Sequence, residues 1–395
     1  MKLNVYKILF VFLFLPSITF NIVPAEVFPW GIIFALYCFR LEKSGFYFLL
    51  TLTVYSVFAL IFVNEYYDYQ EIVRIYASYL NPLVALFALI YCREISLGFI
   101  KKIARVLFNA LLIFGILQYS NVIAPISDLL SALVSRGTFT HEGTSRGVSL
   151  LSTEPARAAI ELLVLYAIVR NGYKRKVIFD ALFIVFQVLI LKSATGLIFS
   201  LLYVQVMWLQ ERRFALFSAV NITVILGLGS LISFSPGNRA LSLISTIVQS
   251  DLSSAMNFLV STSGPRVFSY FIIPEFILQY PFSVGFGNWK LASEIATHVS
   301  SYDYSSMNWF LYHEGSEFRY FRPPGFLPNL IFDLGITAFI FAVWLSFLVR
   351  KYGYFRNKKM ESWFFLLLYL LTGSPGSPVI FLYIVYRSRN SRNIE

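Results

Sequence analysis

The chain has 395 residues, of which 57% are hydrophobic, 18% aromatic and only 13% charged. A soluble domain of that size has no interior able to hide so much apolar surface, so the composition points to an all-α, polytopic membrane protein. The net charge of +11 comes from short basic clusters between apolar runs, a positive-inside pattern that argues against a nucleic-acid-binding protein.

Taken in order, apolar runs of about 17–25 residues predict helices near 5–23, 25–40, 46–63, 75–92, 103–124, 155–170, 177–192, 195–210, 214–233, 327–349 and 362–386. That is about 11 transmembrane helices, with 10–12 as the range. Lys2 and Lys7 before ILFVFLFLP resemble a signal-peptide start, but no small-x-small site follows, so the first run reads as an uncleaved span. Basic loops at Arg40/Lys43, Arg93/Lys101/Lys102/Arg105, Arg170/Lys174/Arg175/Lys176, Arg212/Arg213 and Arg350/Lys351/Arg356/Lys358/Lys359 alternate with loops poor in bases. The N-terminus is therefore expected in the cytoplasm, and 64–74, 121–154 and 234–326 outside. Cys38 and Cys92 end apolar runs beside basic loops and read as cytoplasmic and unpaired. The three histidines have no close spacing, and no metal site is expected.

Three parts follow: 1–233 with nine helices and the outer loop 121–154, the large outer loop 234–326, and the C-terminal helices and tail 327–395. The large loop is too long for a connector and too aromatic for a disordered segment. Within it, 243–260 has helical apolar spacing and is expected to lie along the membrane surface. The last run is broken by GSPGSP at 373–378. A single crossing would place Arg387, Arg389 and Arg392 outside, whereas a re-entrant hairpin would return them to the cytoplasm; the sequence leaves both open.

The chemistry-bearing stretch is Arg136 to Glu161, RGTFTHEGTSRGVSLLSTEPARAAIE. Thr153, Glu154 and Pro155 read as a helix start, with cap hydroxyl, first-turn acid and proline. Arg157 and Glu161, at i and i+4, share a face and can pair. Ionisable groups at membrane depth usually face protein or a wet cavity. Arg146, Glu154 and Arg157 therefore read either as a capped helix end with a snorkelling arginine or as a site for an anionic lipid head group. In the second reading forked arginine donors meet phosphate oxygens, and the carboxylate acts as general base or orients an arginine.

Further along, Lys192 in LKSATG is either a snorkelling lysine or a phosphate-attracting one. Arg266, Glu275 and Gly285-Phe-Gly287 mark either a turn or a close backbone approach to a ligand. His298, His313, Glu314, Arg319 and Arg322 lie among aromatics, as a solvated loop face or a sugar-binding surface.

This order of motifs resembles the Wzy-type O-antigen polymerases, relatives of the O-antigen ligases. STEPA before a middle helix is similar to their Ser/Glu-Pro-Ser motif, with Ala156 where Ser is common. Arg266, Pro281, Gly285 and Gly287 match their R…P…GxG segment. Pro328-Asn329 followed by Gly335 resembles their His-Asn…Gly segment without the His, which argues mildly against a ligase. Arg136 and Gly147 fit an R-x10-G spacing in an outer loop. The resemblance implies a GT-C-like fold with one large periplasmic loop in a bacterial inner membrane. It also implies a glycosyltransferase that joins undecaprenyl-diphosphate-linked oligosaccharide repeats without nucleotide sugar, metal or other cofactor. On that basis Glu154, Arg157 and Arg266 are the expected catalytic residues. Arg136, Arg146, Glu161, Lys192, Glu275, Gly285, Gly287, His298, His313, Arg319, Arg322 and Asn329 are expected to bind substrate. Membrane lipids, a chain-length regulator and a flippase are the implied partners. The alternatives are an O-antigen ligase and, from another class, a lipid-linked saccharide flippase; concentrated outer charge and one dominant loop disfavour the flippase.

Overall fold

In a computed structural model, the described residues are 5–20, 28–38, 43–62, 69–92, 95–134, 139, 147–170, 172–173, 175–219, 265–300, 320–323, 325–353, 359–372 and 376–392. They are helical, and the β feature among them is one isolated antiparallel bridge, Ile18 to Val134. The named helices are α1 (Val5–Phe14), α2 (Trp30–Cys38), α3 (Lys43–Phe62), α4 (Tyr69–Tyr91), α5 (Leu97–Tyr119), α6 (Ser127–Leu133), α7 (Pro155–Arg170) and α8 (Lys176–Phe186). There follow α9 (Ala194–Gln210), α10 (Pro265–Gln279), α11 (Trp289–Val299), α12 (Phe326–Leu334), α13 (Ala338–Gly353), α14 (Lys359–Thr372) and α15 (Val379–Arg392).

Among the described residues, two stretches, Gln70–Tyr91 and Phe326–Leu348, are long and apolar enough to cross a membrane. A third joins them if α5 and Ala124–Leu133, bent by 104° at their junction, count as one span. Several predicted runs are shorter as helices. The first stops at Phe14 because Pro16 disfavours a helical residue before it, and the second covers only Trp30–Cys38. The predicted run 214–233 is described only to residue 219, and the surface helix at 243–260 lies outside the described residues.

Local chemistry sets several boundaries. Ser96 caps α5, its hydroxyl accepting from Phe99 N–H at 3.2 Å, and Ser193 caps α9 by accepting from Gly196 N–H at 3.2 Å. Beyond Phe186, α8 continues as a π-turn over Gln187–Leu191, closed by Lys192 N–H to Gln187 O at 3.0 Å. From Ala158 to Arg170, α7 is buried on nearly every side, as a helix apolar all round must be at the centre of a bundle. Helix α15 packs beside it and touches α1, α4, α5, α13 and α14.

The broken last run forms two antiparallel helices. Arg387, near the end of α15, sits 3.2 Å from Glu361 at the start of α14, and Tyr383 donates to the same carboxylate. Arg389 donates to the carbonyls of Leu89, Cys92 and Ile95, capping the end of α4. The tail thus returns to the end of the bundle from which α14 sets out. Each helix has 14 residues, about 21 Å, less than the roughly 30 Å of a bilayer core. Their tip meets the middle of α4: Asn81 donates to Gly376 O at 2.7 Å and accepts from Ile32 N–H at 2.8 Å. Of the two arrangements left open by the sequence, the described residues form the hairpin.

A second buried ionic group ties α7, α8 and α9 together. Arg170, with no exposed surface, forks onto both oxygens of Asp180 at 2.7 Å and reaches Glu211 at 2.8 Å. Trp208 N–H and the Tyr166 hydroxyl also donate to Asp180, so neither charge is buried uncompensated.

Candidate functional site

Two polar assemblies lie at the other end of α4 and α7 from Arg389 and Arg170. The first surrounds the head of α7. Ala158 N–H donates to Glu154 O at 3.0 Å, so the helix starts from Glu154. Thr153, expected as the cap, makes no hydrogen bond through its hydroxyl, because the backbone register begins one residue later. The segment before the helix is pinned from three directions. Gln118 at the end of α5 accepts from Leu150 N–H at 3.0 Å, Val148 N–H donates to Ile190 O at 3.2 Å, and Ser17 and Ser152 face each other at 3.3 Å. Both serines are almost fully buried and their dipoles act on the Glu161 carboxyl, itself 7% exposed.

Arg157 and Glu161 do share a face, but the guanidinium does not clasp the carboxylate. It lies over the Phe28 ring, 5.6 Å from its centroid, and acts on Glu161 through its field. Lys192 stands 5.0 Å from the centre of the Tyr119 ring, close to the same segment. Glu154 is partly exposed just ahead of α7, three residues before Arg157. The resulting surface offers a guanidinium, an ammonium, a helix N-terminus and two carboxyl groups within an apolar bundle. That set can hold an anionic head group and move a proton.

The second assembly joins the GxG segment to the helix that follows the large loop. Gly287 N–H donates to Asp333 Oδ1 at 3.1 Å, and Tyr79 donates to Asp333 Oδ2 at 2.7 Å. Arg322 lies 3.9 Å from that same oxygen. Ile336 N–H donates to Pro281 O at 2.7 Å, and the Ser283 hydroxyl donates to Phe332 O. Two of the glycines have specific causes. Gly287, at φ +89°, lies where a methyl group would strike Ile72, and Gly335, at φ +58°, presses onto the Pro281 carbonyl. Asn329 uses its amide to hold Pro323 O and Gly325 O, so its donors serve the turn before α12.

Strain marks both assemblies. Phe28, Leu150, Lys192 and Ser283 are non-glycine residues with positive φ, each a conformation costing about 1–3 kcal/mol and concentrated at functional sites in proteins generally.

No protein-family model, curated protein or solved structure matches the chain.

Of the predicted site residues, Glu154, Arg157, Glu161 and Lys192 gather in the first assembly, and Gly285, Gly287, Arg322 and Asn329 in the second. Arg266 lies in the first turn of α10, its side chain outside the described residues. Glu275 is further along the same helix, and His298 is exposed near the end of α11. Arg136, Arg146, His313, Glu314 and Arg319 lie outside the described residues. Sequence reasoning missed Ser17, Ser152, Tyr79 and Asp333. Asp333 carried a signal, an acid inside the apolar run FLPNLIFDLG; the serines and the tyrosine carried none.

Proposed function

We propose that the protein is a lipid-linked oligosaccharide polymerase. It would extend undecaprenyl-diphosphate-linked repeats on the periplasmic face of a bacterial inner membrane, within a GT-C-like bundle of about 11 spans whose N-terminus is cytoplasmic. A flippase would supply its substrate and a chain-length regulator would accompany it. The observation that carries this reading is the head of α7, where Arg157, Glu154 and the buried Glu161 come within a few residues of one another in a chain otherwise apolar.

The residues divide the work as glycosyl transfer requires. An acceptor sugar hydroxyl attacks the anomeric carbon of the donor, the carbon–oxygen bond to the diphosphate breaks, and the lipid diphosphate leaves with the electron pair. Arg157 and Lys192, with Arg136, Arg146 and Arg266, neutralise the leaving group. Glu154 takes the acceptor proton. Glu161, buried one turn on, sets the field in which Arg157 sits. Aromatic residues of the large loop stack on the saccharide.

The test is genetic and biochemical together. Deletion of the gene should leave single repeat units on the lipid A core, whereas lipid-linked polymer that accumulates without surface sugar indicates a ligase. Glu154→Gln and Arg266→Ala, at equal protein level, should lower polymer by about 100-fold or more. Normal polymer length and amount in both variants would refute the assignment.

A further inference from the structure

The carboxylate of Asp333 touches three separate stretches of the second assembly, and the roles above do not use it. It is 1% exposed and accepts from Tyr79 on α4 and from the backbone of Gly287, with the Arg322 guanidinium 3.9 Å away. A buried carboxylate is costly unless donors and a counter-charge compensate it. Here all three come from segments far apart in the chain, so the compensation also fixes where those segments lie. Arg322 is partly exposed and immediately precedes the turn into α12, and the Gly285–Gly287 turn beside it is backed by Ile72.

We propose that Asp333 is a positioning residue: its Oδ1 anchors the Gly285–Gly287 turn, and its negative charge aims Arg322 at the anionic part of the ligand. The second half rests on the polymerase reading; the first does not. The two functions separate chemically. Asn at 333 can present its carbonyl to Gly287 N–H and its amide to the Tyr79 oxygen, whose hydroxyl can rotate. Asp333→Asn therefore keeps the turn and removes only the charge facing Arg322. Asp333→Leu removes both.

The experiment uses the full-length protein in nanodiscs, with Cys38→Ser and Cys92→Ser as background and Val284→Cys as a reporter in the turn. Labelling of that thiol by a maleimide should rise about tenfold with Asp333→Leu and stay within about twofold with Asp333→Asn. With undecaprenyl-diphosphate-linked repeats as substrate and the reporter omitted, Asp333→Asn should raise KM about tenfold while kcat changes little. Arg322→Ala should do the same, and the double variant should be no worse than either single one. Unchanged labelling in Asp333→Leu overturns the anchoring role. Fully multiplicative effects of Asp333→Asn and Arg322→Ala, or a loss confined to kcat, overturn the aiming role. If the wild-type protein elongates nothing, the polymerase reading falls, and with it the aiming role, while the labelling still decides the anchoring.

Discussion

Single side chains do their structural work here by being compensated. Arg170 has no exposed surface, yet its donors meet Asp180 and Glu211 in a fork, and Asp180 receives two further hydrogen bonds. Removing one partner of such a pair costs about 3–5 kcal/mol because the other charge stays buried alone. Arg170→Met should therefore lower the thermal midpoint steeply, and a shift of only a degree or two would refute this role. Glu211 lies just past α9, at the edge of this group. Burial pushes its carboxyl up, but hydrogen bonds and charge from Arg170, helped by Lys176, outweigh that and hold it below the usual carboxylate range. A depressed carboxyl adds stability that is complete above its unfolded pKa and disappears as pH falls through the folded one. The midpoint should hold from neutrality to about pH 5 and then fall, and Glu211→Gln should flatten that fall; an equally steep fall in the variant would rule the link out. At this scale the sequence was legible where the signal is local. Glu154 and Pro155 announce a helix start by adjacency, whereas Tyr79 and Asp333 become partners only through a contact 254 residues apart in sequence.

Among elements, the α14–α15 hairpin matters most. Charge arithmetic along the chain posed the problem, because three arginines follow the last apolar run, but it could not supply the answer. What decides is the partner of each base: Arg387 finds Glu361, and Arg389 finds the end of α4. Pro378 stands immediately before α15, two residues after Gly376, where a missing N–H costs a helix nothing. The depth of the tip depends on Asn81, whose side chain bonds both Gly376 and Ile32 and which reads as an ordinary polar residue in an apolar helix. A cysteine at Met360 and another at Asn393 should both resist a membrane-impermeant maleimide in intact spheroplasts and both react after permeabilisation. Reaction of Asn393→Cys alone in intact spheroplasts would mean that the final helix ends on the opposite face, contrary to the hairpin.

For the whole molecule, composition was enough to indicate a helical membrane protein, because continuous apolar runs in lipid must satisfy their backbone within each segment, whereas a barrel strand alternates apolar and polar residues. The number of crossings was less legible. Hydropathy counts apolar runs, but the helix of the first run stops at Phe14, ahead of Pro16, and the last run forms the two helices α14 and α15. The pairing of distant motifs was legible only in part. The order of STEPA, GxG and PN segments is visible in the chain, but the bond between Gly287 and Asp333 that joins the last two is not. One local feature also constrains the length of the chain itself. The wide turn over Gln187–Leu191 makes room for one more residue than an ordinary α-helix would. Loss of a single codon there would remove the residue that the wide turn absorbs and leave a regular helix behind, with Lys192 still carried to the same side of α8. Between Phe186 and Lys192, descendants of this gene can therefore shed one residue more readily than from the regular turns before it, where the same loss would rotate all that follows by about 100°.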